Sequence, residues 1–195
     1  MAVRIRSRWF RKNRPHTPAE LAGVMALNLW RLACDVLKHM RKAGFSIDPG
    51  PAYFSFLAEW LVFLAYGADR LVFSQLDPAD RHVFVSTLVR RLAEILADNQ
   101  RDLMGLEGLV ADEIRARFIE TFNTRGEDYG EQDFQDGVPD YGFLRVLAYG
   151  VVAVVPETDR HWVHDQVMEI EAPQAIEAMG RGIQGLLSDY RKQDD

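Results

Sequence analysis

Cysteine is nearly absent from this chain of 195 residues, because Cys34 is the only one. A single cysteine excludes an internal disulfide, and it excludes a thiolate metal cluster built within one chain. Cys34 lies in the sequence RLACDVL, at the edge of the apolar face of a predicted helix. A thiol in that position is more often a small core residue than a nucleophile. This cysteine usage suits a reducing cytoplasm.

The sequence also lacks an uninterrupted apolar run of membrane-spanning length. The most apolar stretch, residues 49–73, is divided by Glu59, Asp69 and Arg70 into runs well below the roughly 18 residues that a span requires. The basic N-terminus is followed by the mostly polar sequence RWFRKNRPHTPAEL rather than by the apolar core of a signal peptide. We therefore predict no membrane span, no export and a cytoplasmic location.

Catalytic and cofactor motifs are missing as well. The chain contains no G-x-S-x-G, no G-x-x-x-x-G-K and no H-E-x-x-H. The sequence GRGIQG at residues 180–185 matches G-x-G-x-x-G, but it follows a helical pattern rather than a strand. We therefore predict no cofactor and a non-enzymatic protein.

Positive charge is in deficit overall, since the formal net charge is −6. Nucleic-acid binding requires clustered Lys and Arg, so we do not expect it for the chain as a whole. The charge is nevertheless polarised. A basic arm at residues 1–16 contains Arg4, Arg6, Arg8, Trp9, Phe10, Arg11, Lys12 and Arg14, and residues 124–143 contain Glu127, Asp128, Glu131, Asp133, Asp136 and Asp140.

Helical periodicity is what the sequence does contain. Thr17 and Glu20 form a capping box around Pro18, and apolar residues then recur at spacings of three and four until Gly44. Similar patterns begin at Pro51, at Asp77–Pro78 and at Val110, and others cover residues 142–155 and 159–191, with a break or kink at Pro173. We predict an all-α, single-domain bundle of about six helices over residues 17–195. Two apolar helices, the second and the one over residues 142–155, are predicted to form its centre.

Two histidines suggest an alternative site. In a continuous helix His161 and His164 share a face with Glu157 and Met168, and imidazoles three residues apart can converge on a metal. A di-iron bundle requires Glu-x-x-His motifs on two helices, and this chain does not contain them. We therefore predict structural histidines and no tightly bound metal, and keep a metal or haem site at His161 and His164 as a minor alternative.

The acidic segment is predicted to be a loop over residues 124–141, because Gly126, Gly130, Gly137 and Pro139 interrupt the helical pattern. Counting back from Gly137 does not give the acidic positions of an EF-hand. Three interpretations remain: a loose cation site, a solvated loop, or a surface that binds the basic arm through ion pairs and Arg–aromatic contacts. The third predicts partner-binding residues Arg4, Arg6, Arg8, Trp9, Arg11, Glu127, Asp128, Tyr129, Glu131, Asp133, Phe134, Asp136 and Tyr141.

The function predicted from these features is protein–protein interaction or regulation, with a protein partner that the sequence does not name. Two helices that are apolar nearly all round require more cover than a few amphipathic neighbours supply, so we expect a homodimer. The alternative is a helical binder or sensor of an apolar small molecule, in which the aromatic second helix lines a pocket. The position of Trp60 and Phe63, in a core, a cavity or an interface, separates these hypotheses.

Overall fold

The computed structural model describes residues 16–106 and 110–191, and within them the chain is an all-α bundle. Its helices are α1 (Pro18–Lys42), α2 (Pro51–Val72), α3 (Pro78–Met104), α4 (Val110–Gly130), α5 (Tyr141–Val154), α6 (Arg160–Gln166) and α7 (Ala172–Arg191). A 3₁₀ turn at Glu157–Asp159 precedes α6, and a π-helical turn at Val167–Glu171 joins α6 to α7. Counting α6, the π turn and α7 together gives six helical segments in the described residues, which confirms the predicted fold class.

Local capping signals define the first and third helices as predicted. The Thr17 hydroxyl accepts the amide of Glu20 at 3.2 Å, while the Glu20 carboxylate accepts the amide of Thr17 at 3.3 Å. At the other end of α1, Gly44 adopts φ 97°, and Phe45 N–H bonds back to the Met40 carbonyl, as in a Schellman motif. Asp77 caps α3 by accepting the amides of Ala79 and Asp80. These ends follow from residues within a few positions of each other.

Helix α2 lies at the centre of the bundle. Twelve of its residues are buried, and the rings of Phe56, Trp60 and Phe63 are completely inaccessible. Its neighbours are α1, α3, α4, α5 and α7. The prediction that α2 is central is therefore confirmed.

Helix α5 packs on α2 as predicted, but it is not covered on all sides. It buries Phe143, Leu147 and Val151 against α2 and its other neighbours, but Tyr141 and Tyr149 remain 65% and 60% exposed. The valine-rich sequence predicts an apolar helix, but it does not predict which sides of that helix are covered. Covering both sides requires neighbours that only the tertiary arrangement supplies.

Several helix termini meet at one end of the bundle, which we call the hairpin end. The end of α2 meets the start of α3 through Asp69 and Arg81, and it meets the end of α4 through Arg70 and Tyr129. A two-residue ladder pairs β1 (Phe134–Gln135) with β2 (Val138–Pro139) beside the same end of α2, as the close approach of Gly137 to Leu71 indicates.

The start of α1 lies at the hairpin end too. At the opposite end His39 approaches Glu171, and Ser46 donates to Asp159, so the last turns of α1 lie beside the start of the α6–α7 segment. The end of α7 reaches the start of α3, where the Tyr190 hydroxyl donates to Asp80 at 3.3 Å. His16, the first described residue, therefore lies at the same end of the bundle as the hairpin.

Candidate functional site

The predicted acidic loop is mostly ordered secondary structure. Residues 124–130 continue α4, the hairpin occupies residues 134–139, and α5 starts at Tyr141. The predicted boundary at residue 124 is therefore wrong. Gly126 lies within α4 and does not end the helix. A Cβ at this position would lie 3.1 Å from the Tyr66 hydroxyl. The absence of a side chain at Gly126 therefore allows α2 to approach α4 closely, and the residue does not act as a helix breaker.

Arg70, a residue of α2, caps the C-terminus of α4. Its Nη2 donates to the carbonyl oxygen of Tyr129 at 3.1 Å and, at 3.4 Å each, to those of Gly130 and Gln132. The last carbonyls of a helix lack intrahelical partners and carry partial negative charge, so a cation at this position is favourable. Arg70 thereby fixes the point at which the acidic segment leaves the helix.

Asp140 fixes the other side of the segment. One carboxylate oxygen caps α5 by accepting the amide of Phe143 at 2.7 Å, and the other accepts the amide of Asp133 at 3.1 Å. The two-residue turn between the strands is Asp136–Gly137, with φ values of 52° and 81°. An Asp-Gly pair with both φ values positive is typical of a type I′ hairpin turn. This dipeptide signal could have revealed the hairpin from the sequence.

Two of the predicted partner-binding aromatic residues pack on the core, and one of them, Tyr129, is not available to a partner. Tyr129 is 1% exposed and contacts the rings of Phe143 and Tyr66, with centroid distances of 4.7 and 4.8 Å. Phe134 is half-buried with its ring edge on Phe143 at 5.2 Å. The prediction is therefore wrong for Tyr129, because its ring is buried in the core, and it stays a prediction for the half-buried Phe134.

The remaining predicted residues of the segment are exposed. We call Glu127, Asp128, Glu131, Asp133, Asp136 and Tyr141 the acidic end surface. Arg125 lies 3.7 Å from Asp128, whereas no basic side chain in the described residues lies within 4 Å of the other four carboxylates. Val138, also 65% exposed, lies in the hairpin between Asp136 and Tyr141. The predicted arm residues Arg4, Arg6, Arg8, Trp9 and Arg11 lie outside the described residues.

In α2, the first of the two helices behind the homodimer prediction, the large rings are covered within the chain, whereas α5 leaves Tyr141 and Tyr149 exposed. Trp60 and Phe63 contact each other edge to face at 5.7 Å, and Phe63 also packs on Phe143 at 5.5 Å. Both therefore face a packed core rather than a cavity. The excess apolar surface predicted for α2 is not present, and the homodimer stays a prediction.

Two buried carboxylates were not singled out from the sequence. Glu59 has a side chain 13% exposed, pairs with Arg125 at 3.3 Å and packs on Gly150, where a Cβ would lie 2.7 Å from its Cδ. Glu171 is 3% exposed, accepts the side-chain amide of Gln166 at 3.0 Å and lies 3.7 Å from His39. Long-range partners define both positions, so local sequence patterns do not reveal them.

The histidine face offers no assembled metal centre in the described part of the chain. Glu157 lies in the 3₁₀ turn before α6, and Met168 is buried. His164 contacts Asp165 at 3.1 Å and lies with its ring 6.0 Å from that of Tyr149. Nowhere in residues 16–106 and 110–191 do three His, Cys, Asp or Glu side chains cluster as metal ligands would.

None of the helices in the described ranges combines the length and apolar character that a bilayer crossing requires. Comparison of the chain with protein-family models, curated proteins and solved structures finds no significant match.

Proposed function

We propose that this protein acts without catalysis, by binding a protein partner through the acidic end surface. The partner segment would be basic and would carry an aromatic or long aliphatic side chain. A cytoplasmic location, suggested by the single cysteine, is part of the same proposal.

The observation that carries the proposal is a set of unpaired carboxylates on a fixed backbone. Glu127, Glu131, Asp133 and Asp136 have no basic side chain within 4 Å in the described residues, and Arg70 and Asp140 hold the backbone between them. Like charges on a flexible loop can separate, whereas on this backbone their repulsion persists until a cation neutralises it. A surface that is already ordered also loses less entropy when it binds.

Tyr141 and Val138 supply the non-ionic part of the proposed contact. Both are 65% exposed beside the carboxylates. An arginine side chain can pair with a carboxylate and stack on a tyrosine ring, so an Arg-rich segment suits this combination. This chemistry favours a basic peptide segment over a small inorganic cation.

The basic arm of the chain is the first candidate for that segment. His16 lies at the hairpin end. An extended chain would place Arg11, five residues earlier, up to roughly 17 Å from His16, and Arg4 up to roughly 40 Å from it. The arm of one chain on the acidic end surface of a second copy would give the proposed homodimer. The same arm on its own chain would give a monomer that competes with outside partners.

Hydrogen exchange of the full chain tests this function. Deleting residues 1–14 should increase amide exchange over residues 131–139, and about 0.5 M salt should have the same effect because exposed ion pairs are screened. The triple variant Glu131→Gln, Asp133→Asn, Asp136→Asn should reproduce the increase. Asparagine tolerates the positive φ of Asp136, so the turn is retained.

The matched control replaces the three exposed acids Glu113, Glu120 and Glu169 with glutamine, which changes the net charge equally. It should leave exchange over residues 131–139 unchanged. Sedimentation at micromolar concentration then separates the two arm arrangements, since a dimer should dissociate on deletion or at high salt. Unchanged exchange in the deletion, the triple variant and high salt would contradict arm binding, and a strictly monomeric full chain would contradict the homodimer.

A further inference from the structure

A groove of about 210 Å³ opens beside α2, at the end of the bundle opposite the hairpin. Its walls come from α2, α3, α4 and the last residues of α5. Helices α2 and α4 run parallel and meet near the hairpin end, where Tyr66 stacks on Phe122 at 4.3 Å. The groove lies further along, between the earlier turns of the two helices.

Seven of the twelve residues that line the groove are apolar, and Ser55, Glu59, Gln100, Arg117 and Thr121 are polar or charged. Ala58, Ile114 and Val154 are half-buried there, and they cover the inner rings of Phe54 and Phe118, which are 3% and 2% exposed. Such walls favour an apolar ligand, because its burial removes apolar surface of both partners from water.

The volume limits the size of the ligand. Drug-sized ligands occupy pockets of roughly 300–1,000 Å³. The volume of this groove corresponds to about seven water molecules in the liquid. A molecule of about seven to ten non-hydrogen atoms therefore fits.

The charges around the groove select the sign of the ligand. Glu59 is neutralised by Arg125, whose Nη2 lies 3.3 and 3.5 Å from the two carboxylate oxygens, and Gly150 covers the carboxylate from α5. Arg117 lines the groove from an exposed position on α4, and no acidic side chain in the described residues lies within 4 Å of it. Among the described charged residues that line the groove, Arg117 is therefore the one that has no ion-pair partner within 4 Å.

We propose that this groove binds a small apolar molecule that carries a carboxylate, with the carboxylate at Arg117 and the apolar part between Ala58, Ile114 and Val154. This site is separate from the acidic end surface, and its occupancy does not depend on the proposed protein partner. The aromatic second helix contributes to it through Phe54 rather than through Trp60 or Phe63, which lie in the packed core.

The probe for this site is hexanoate, compared with hexylammonium and hexanol of the same chain length. Amide chemical shifts of the full chain should move saturably with hexanoate at Ala58, Arg117 and Thr121, which line the groove. A dissociation constant on the order of 1 mM is expected for so small a ligand. Hexanol should bind more weakly, and hexylammonium should not shift these amides.

Two variants and one control variant test the proposal. Arg117→Gln should weaken hexanoate binding by about threefold to fivefold, since the ion pair is partly exposed. Arg90→Gln, which removes an equally exposed arginine on α3 away from the groove, should change nothing. Ala58→Leu should fill the groove and abolish binding, with a thermal melt confirming that the variant is folded.

Three outcomes would overturn the proposal. The first is hexylammonium binding as tightly as hexanoate, which would identify Glu59 as the recognition group. The second is a set of hexanoate-induced shifts outside the groove or insensitive to Arg117→Gln. The third is the absence of any saturable shift with the wild-type chain. None of these results bears on the acidic end surface, so the two proposals fail separately.

Discussion

Replacing Arg70 with methionine should loosen the acidic end surface and lower the free energy of unfolding. Methionine retains an unbranched apolar stem, so the variant removes mainly the charge and the donors. The contact of Arg70 Nη2 with the Tyr129 carbonyl at 3.1 Å is a hydrogen bond from a charged group, while the two contacts at 3.4 Å are long. The change therefore isolates the capping interaction at the end of α4.

The expected cost follows from that geometry. One charged hydrogen bond contributes about 1.5–3 kcal/mol, and a cation at a helix C-terminus contributes about 0.3–1 kcal/mol more. The carbonyls of Gly130 and Gln132 can be rehydrated near the surface, which reduces the loss. We expect a destabilisation of about 2 kcal/mol, which for a chain of this size lowers Tm by about 4–8 °C.

Thermal unfolding followed by far-ultraviolet circular dichroism measures this destabilisation, and hydrogen exchange locates it. Exchange at the amides of Glu131 and Gln132, which bond to carbonyls of the last turn of α4, should increase more than exchange in α2. The control is Arg90→Met, an exposed arginine with no acidic side chain within 4 Å in the described residues. Equal Tm values for the two variants, with unchanged exchange at residues 131 and 132, would refute the assignment of Arg70 as the cap that orders this surface.

Two further predictions concern buried titratable groups. Burial raises the pKa of Tyr66 to about 12 and holds that of Tyr129 well above its usual range. The stability due to these protonated phenols is therefore present below about pH 10 and is lost as the pH rises towards 12. Tyr129→Phe should reduce this alkaline loss, and a folded wild-type chain in which Tyr129 ionises near pH 10 by absorbance would disprove it. Burial also raises the pKa of Cys34 to about 11. Iodoacetamide near pH 8 should consequently modify Cys34 about 100-fold more slowly in the folded chain than in urea, and equal rates would contradict the burial argument.

Helix ends were predictable where both partners of a cap lie within one turn. Thr17 with Glu20, Asp77 with the amides that follow it, and Gly44 in its positive φ all behave as their local sequences indicate. Such ends depend on short-range hydrogen bonds and on backbone strain, both of which a few residues determine.

In the acidic segment, the local sequence pattern predicted a helix end that the structure does not have. Gly126 and Gly130 read as helix breakers, although glycine costs only about 1 kcal/mol in a helix interior. Ring stacking of Tyr66 on Phe122 and Tyr129, with the Arg70 cap, more than offsets that cost. The same packing removes Tyr129 from the predicted partner-binding residues.

By itself the sequence determined the fold class, the capped ends of α1 and α3, the central position of α2 and the positions of the charged residues along the chain. All of these depend on composition, spacing or contacts within a few residues. Only the tertiary structure decided that α4 continues to Gly130, that Tyr129 and Phe134 are attached to the core, and that Arg70 and Asp140 hold the acidic residues in place. It also brought Glu59 and Arg117 to the lining of one groove and placed Gly150 against the Glu59 carboxylate. The physical reason is that burial and long-range pairing depend on which helices become neighbours. Residues about 90 or more positions apart, such as Glu59 and Gly150, carry no local record of that choice.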